Sequence, residues 1–337
     1  MKAIICEQPG QFRIKELDSP TVKPGEALVR IRRVGICGSD LGAFKGHHPL
    51  VTYPRILGHE LSGEVAAIRE PSGGLKVGDS VAILPYLECG KCIACRQGKT
   101  NCCTGLRVYG IHLDGGMQEY MSIPPDHLIK SAKLSFDEMA LVECLGVGAH
   151  AVFRSQIREG ATAMVLGAGP IGMGVMQFAR VAGAKVIAVD MTQDRLKFCR
   201  DYLGVDHLIH AHNDWVEEVK SLTNGDYPLV VFDASGNLQS MNHAFNLVAH
   251  GGVLVMVGLV KDNITFSDPD FHRRELTVMS SRNATRRDLE HVIRSLEDEK
   301  VNASSLITHR TTFDQTIAQF ASWLKPETGV IKAVVEI

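Results

Sequence analysis

Aromatic residues make up only 6% of this 337-residue chain, with two tryptophans, and the net charge is −2. A near-neutral chain has no global basic field to draw in nucleic acid or an anionic membrane, so both partner classes are set aside. No stretch reaches the ~18 uninterrupted apolar residues that a membrane helix needs. The N-terminal "MKAIICEQPGQF" carries a lysine but no sustained apolar core, so it does not read as a signal peptide, and the expected location is cytoplasmic. There is no internal repeat and no low-complexity segment. What is present is ordinary globular composition, 45% hydrophobic and 22% charged, which argues against disorder. The length allows two domains.

The first 140 residues read as strands and turns. In "EALVRIRRVGIC", Ala27, Val29 and Ile31 share one face, with Arg30 and Arg32 on the other. "GGLKVGDSVAIL" reads as a turn and then a strand. Glycine and proline recur at short intervals, as in a small irregular β fold. After about residue 148 the pattern changes. Six short β runs, from "TAMVLG" (162–167) and "KVIAVD" (185–190) to "LTVMSS" (276–281), alternate with helical segments such as "NDWVEEVKSL" and "LQSMNHAFNLVAH". That alternation predicts an α/β fold with a doubly wound parallel sheet. The last 50 residues open with a helix near Arg286 and end in strand-like segments including "IKAVVEI".

"GAGPIG" follows the first of these runs and opens a helix, the context that turns a weak G-x-G-x-x-G pattern into a dinucleotide site. Gly167 allows the tight turn, Gly169 lets the backbone approach a pyrophosphate, and Gly172 lets helix and strand pack closely. Asp190 ends the next strand; its carboxylate can accept the ribose hydroxyls of NAD and would repel a 2′-phosphate. Arg195, five residues on, can stack on adenine or attract that phosphate, which keeps NADP open as the alternative. Trp215 and Trp323 carry no functional signal.

Nine cysteines crowd unevenly, and in a reducing compartment crowding suggests metal before disulfide. "CGKCIACRQGKTNCC" places Cys89, Cys92, Cys95 and Cys103 on one loop, enough thiolates to close a tetrahedral structural zinc; Cys102 could substitute on spacing alone. A nucleic-acid zinc ribbon is the rival reading, but the chain lacks a basic, aromatic-studded face. A second site is dispersed: "GICGSD" offers Cys37, Ser39 and Asp40, and "GHE" offers His59 and Glu60. A catalytic zinc wants about three protein ligands and one open position. Cys37 and His59 supply two; Glu60, Glu143 or Cys144 supplies the third.

With these motifs in this order, the chain resembles the zinc-dependent medium-chain alcohol and polyol dehydrogenases over essentially its whole length. The resemblance implies a GroES-like, mostly-β catalytic domain at 1–147 and 284–337, a Rossmann domain at 148–283, an active site in the cleft between them, two zinc ions and NAD. The closer likeness is to the sorbitol and threonine dehydrogenase branch. "FSDPDFHRRE" and "SSRNAT" resemble segments of the bacterial enzymes that oxidise L-galactonate or L-gulonate at C5. The implied substrate is therefore a small polyhydroxy compound, and the implied assembly a homodimer or homotetramer through the sheet edge near 276–285. Cofactor-side residues implied by the family are Pro170, Ile171, Ser235, Val257, Ser281 and Arg282. Ser39 is placed to take the substrate proton, and Asp40 to orient His59. Substrate-side residues are Arg282, Asn283, His48 and His112, with Arg55 a weaker candidate. The chain departs from the family at Gly42, where a histidine is common, and at Arg69, where glycine is frequent. It departs again at Glu143-Cys144: the polyol branch has a glutamate at 143 followed by proline, and the alcohol branch a zinc-ligating cysteine at 144. Every other branch marker is of the polyol type, which favours Glu143 as the ligand, directly or through water.

Overall fold

The alternation at 27–36 is what builds the first unit. In the computed structural model, Ala27, Val29 and Ile31 are fully buried and Arg30 is exposed, as in a strand with one face against a core. The strand Ala27–Ile36 pairs antiparallel with Glu60–Ile68 and with the C-terminal strand Lys332–Glu336, inside a seven-stranded sheet. "IKAVVEI" is thereby stitched beside Gly35 and Ile36, near the other end of the chain. The structure describes all residues except 70–73, 206 and 213. Gly73 and Asn213, the first residues of two expected segments, lie outside the described residues; the rest of those segments forms the strand Ser80–Ile83 and the helix Trp215–Leu222.

The second unit is a six-stranded sheet in which every pairing is parallel. Counted along the chain, its strands are Thr162–Leu166, Lys185–Asp190, His207–His210, Val230–Asp233, Val253–Met256 and Thr277–Ser280. Their spatial order is third, second, first, fourth, fifth, sixth. This is the doubly wound Rossmann arrangement, and its switch point falls between the first and fourth strands, where such sheets open a crevice at their carboxyl ends. The helix Pro170–Val181 follows the first strand with Gly169 as its N-cap and proline at its start, and buries Met173, Val175, Met176 and Phe178. A separate cluster centred on Met164, Ile187, Val231 and Leu254 forms the core of this unit.

The units comprise residues 1–144, 285–297 and 303–337, and residues 145–284 and 298–302. These bounds differ from the expected ones at both crossings, which fall at 144/145 and 284/285, and at 298–302. The helix Val142–Ser155 runs across the first boundary, so no loop marks it. Residues 298–302 join the second unit, where the Asn302 amide donates to Gln177 Oε1 at 2.7 Å. Among the described residues no helix is long and apolar enough to cross a membrane.

Candidate active site and zinc centres

Each glycine of the motif meets a different constraint in the fold. Gly167 has φ +97°, the left-handed region that side chains rarely adopt. A Cβ on Gly172 would lie 1.8 Å from the Gly167 carbonyl oxygen, so helix and turn touch there. A Cβ on Gly169 would meet nothing within 4 Å; the space in front of this helix N-terminus is open. A cavity of about 630 Å³ begins here and is lined by Gly167, Gly169, Asp190, Arg195 and Ser235, among others. The Asp190 carboxylate is fixed by two backbone amides, Ala168 N to Oδ2 at 2.6 Å and Thr192 N to Oδ1 at 2.7 Å. Ser235 follows the fourth strand, and its hydroxyl donates to Asp233 Oδ1 at 2.6 Å. Val257 and Ser281 follow the fifth and sixth strands, and the buried Ser281 hydroxyl has no hydrogen-bond partner. Arg282 and Asn283 come next in the same unit, with Asn283 at φ +53°. The helix N-terminus, the open space and the carboxylate fit a dinucleotide.

In the first unit, Cys37, His59 and Glu60 converge, with their ligand atoms all within 4.8 Å of one another. Cys37 is the N-cap of the helix Gly38–Phe44. Asp40 sits three residues into that helix and is almost wholly buried. It accepts from Cys37 N at 2.9 Å and from Gly58 N at 3.0 Å, and faces His59 Nδ1 at 3.7 Å, too far for a hydrogen bond. Burial alone would raise its carboxyl; the His59 ring and the two amides outweigh that and hold it below the ordinary range. Asp40 thus ties the Cys37 segment to the Gly58-His59 segment. The Ser39 hydroxyl, in the turn that Cys37 opens, is buried without a partner, as is His59 Nδ1. A thiol, an imidazole and a carboxylate, with an orphaned hydroxyl nearby, fit a zinc site with an open position.

Glu143 and Cys144 stand outside this group. The Tyr86 hydroxyl donates to Glu143 Oε1, and both Glu143 and Cys144 are buried at the head of the helix Val142–Ser155. The carboxylate that joins Cys37 and His59 is Glu60, which is adjacent to His59 in the chain. It lies across Gly35, where a Cβ would come within 2.4 Å of Glu60 Oε2. Beyond Gly35 it accepts two hydrogen bonds from Lys332 Nζ, at 2.6 and 2.8 Å. Lys332 is 2% exposed and Glu60 0%. Burial would lower the Lys332 ammonium, but Cys144 and Glu60 outweigh it and hold it well above the usual lysine range. Lys332 and Tyr86 are site residues that sequence reasoning missed. A single lysine at the head of the apolar run "KAVV" was the available signal for the first; nothing local marks the second.

His48 is half-buried and feels the charges of Asp40, His59 and His112. Burial, helped by the two histidines, pushes it below its ordinary value. His112 Nδ1 accepts from Val108 N at 3.1 Å. Arg55 is engaged by Asp114 at 3.0 Å. Gly42 borders open space; a Cβ there would meet nothing within 4 Å.

The sulfurs of Cys89, Cys92, Cys95 and Cys103 also lie within 4.8 Å of one another. The amides of Cys89 and Gly105 donate to Cys103 Sγ at 3.2 and 3.3 Å. Backbone amides of Cys95 and Thr104 pull the Cys92 thiol down to about 5, while burial and the neighbouring sulfurs push Cys95 up to about 12. Cys102 is exposed and is not in the cluster. Four sulfurs complete a tetrahedral shell by themselves, the donor set of a structural zinc.

Comparison with known proteins agrees with this geometry. Residues 23–133 match the alcohol dehydrogenase GroES-like domain family, and residues 170–298 match the zinc-binding dehydrogenase family. The chain is 39% identical to an L-galactonate-5-dehydrogenase of Escherichia coli K12, over 93% of this chain and 92% of that one. It is 34% identical to a sorbitol dehydrogenase of Bacillus subtilis, over 78% and 76% of the two chains. A solved structure described as a short chain alcohol dehydrogenase (rspB) from E. coli CFT073, complexed with NADH, superposes with a TM-score of 0.93 at 30% identity, over 100% of this chain and 99% of that one. Two zinc-type donor sets in a GroES-like unit, a doubly wound nucleotide unit and full-length similarity therefore place the chain in the zinc-dependent medium-chain alcohol and polyol dehydrogenase family, oxidoreductases that act on CH–OH groups.

Proposed function

We propose that this chain oxidises a secondary hydroxyl of a sugar acid, of the L-galactonate or L-gulonate class, with NAD as the acceptor. The observation that carries the reaction is the Cys37–His59–Glu60 group with the unpartnered Ser39 hydroxyl in the same turn. The substrate class is supported by the 39% identity to the L-galactonate-5-dehydrogenase. When bound, zinc supplies a Lewis acid that lowers the pKa of an alcohol, and NAD supplies a hydride acceptor. Cys37, His59 and Glu60 hold the metal; Glu60 is preferred to Glu143 because its carboxylate is in the group and can accept from Lys332 while keeping lone pairs free. Ser39 takes the hydroxyl proton, and His48, kept neutral by its surroundings, passes it outward where Gly42 offers no side chain. Asp40 positions His59 through the backbone, by accepting from the Cys37 and Gly58 amides on either side of the site. Cys89, Cys92, Cys95 and Cys103 hold the structural zinc. NAD is favoured over NADP because the Asp190 carboxylate is fixed by amides at the rim of the cavity, where it repels a 2′-phosphate. The exposed edge strand Thr277–Ser280 supports self-association as a homodimer or homotetramer.

The neutral-polyol alternative is favoured by the similarity to a sorbitol dehydrogenase. Comparing kcat/KM for L-galactonate and L-gulonate with that for galactitol and sorbitol separates the two. The aldonates are expected to lead by about tenfold or more, the worth of a charge-assisted carboxylate clamp, and Arg282→Ala is expected to erase most of that lead. Equal efficiency on acids and polyols, untouched by Arg282→Ala, would sink the sugar-acid reading.

A further inference from the structure

The zinc donors account for Cys37, His59 and Glu60 but leave a second buried carboxylate beside them. Glu143 is 5% exposed, and its carboxyl feels the charges of His59 and Glu60. The Tyr86 phenol, equally buried, donates to Glu143 Oε1 and feels Cys37 and Glu60 in turn. A buried carboxylate near a metal site is satisfied either by a hydrogen-bond donor or by the metal itself. Tyr86 is fixed as that donor because its backbone is held on two sides. The strand Tyr86–Leu87 pairs antiparallel with Arg107–Val108, Tyr86 opposite Val108. These strands stand just before Cys89 and just after Cys103, so they close the base of the cysteine loop. His127 Nε2 meets the Tyr86 carbonyl at 3.1 Å, and the Tyr109 amide donates to the Pro85 carbonyl at 3.1 Å. Phenylalanine would fill the same space without a hydroxyl to satisfy, so packing alone does not call for tyrosine here.

We infer that Tyr86 is a positioning residue of the oxidation: its phenol keeps the Glu143 carboxylate out of the Cys37–His59–Glu60 group and so reserves the open position there for the substrate hydroxyl. The inference rests on the reading that this group holds a catalytic zinc. Such a site needs about three protein ligands and one open position, and a further carboxylate would close it. Tyr86 holds neither metal nor substrate and acts only through Glu143. With the phenol gone, Glu143 competes with the substrate from within the chain. Only molecules whose position is free then bind substrate, so the apparent affinity falls by that fraction while bound complexes react as before.

The test uses the full-length, zinc-loaded protein and two variants. Tyr86→Phe keeps the ring and removes only the hydroxyl; the second variant adds Glu143→Gln. Zinc release to a chromogenic chelator is followed, and the phase absent from Cys37→Ala belongs to the catalytic group. In Tyr86→Phe that phase is expected to slow by about tenfold. KM for the better substrate of L-galactonate and sorbitol, with NAD, is expected to rise by about tenfold, with kcat within about twofold of wild type. Adding Glu143→Gln removes the competing carboxylate and is expected to return both quantities to within about twofold of wild type. Unchanged zinc release and KM in folded Tyr86→Phe overturn the inference. Changes that persist in full in the double variant also overturn it, because Tyr86 then acts through packing and not through Glu143. A wild-type protein that holds both zinc ions but oxidises neither an aldonate nor a polyol overturns the dehydrogenase reading; the zinc-release comparison still decides the role of Tyr86.

Discussion

Gly35 shows how much one missing side chain can decide. It sits between two charged groups on neighbouring strands, and its bare Cα leaves the Glu60 carboxylate a path to Lys332. The resulting ion pair is buried on both sides. Such a pair adds little over an apolar replacement of the same volume, but removing one partner strands the other charge in the interior. Lys332→Met is therefore expected to lower stability by about 3–5 kcal/mol, measured by urea denaturation of the zinc-loaded protein. A Lys332→Met variant as stable as wild type would mean that the buried Glu60 carboxylate does not depend on this partner. No titration of Lys332 complicates the neutral range. Its folded value is raised, so its stabilising contribution is present below the ordinary lysine value and fades only above it.

The strand Thr162–Leu166 and the helix Pro170–Val181 are joined by a glycine-rich turn. The three glycines look alike in "GAGPIG" and do different work in the fold. Gly172→Ala drives a Cβ into the Gly167 carbonyl, at 1.8 Å. It is expected to lower the melting temperature and NADH affinity together. Gly169→Ala meets nothing in the protein. It is expected to leave the melting temperature unchanged and to weaken NADH binding by about tenfold or more, because the new methyl occupies the phosphate approach. Thermal melting and calorimetry of the two variants check this. Equal losses of stability in both would contradict the open space at Gly169.

Across the whole molecule, the metal donors lie in one unit and the nucleotide crevice in the other. Binding of cofactor and binding of metal are thus expected to be separable. Cys37→Ala should abolish turnover, reduce zinc from two ions per chain to one and leave NADH affinity within about twofold of wild type. Zinc analysis, calorimetry and a turnover assay read the three quantities. Wild-type turnover with both zinc ions retained would refute the catalytic role of this group. The cysteine lobe keeps its own zinc in that variant because Cys89, Cys92, Cys95 and Cys103 share no ligand with Cys37.

Sequence alone determined what periodicity and local spacing carry. The six parallel strands, the helix behind "GAGPIG", the helix at Arg286 and the alternation at 27–31 each follow from side-chain period or a glycine-marked turn, and all are present as elements. Family membership was legible for the same reason: its motifs are short and local. The four clustered cysteines were legible because a loop of 15 residues, 89 to 103, brings them together without help from the rest of the chain. Tertiary structure decided whatever depends on distant segments. It brought Cys37 to His59 and Glu60 across the pairing of Gly35 with Glu60, with Glu143 outside that group of ligand atoms. It turned Glu143 to Tyr86 and brought Lys332 to Glu60 from 272 positions away. It also made Trp215, silent as a letter in the sequence, part of a cavity wall. A one-dimensional pattern encodes which face of an element is buried; which residue waits on the facing element is set only when the strands take their register.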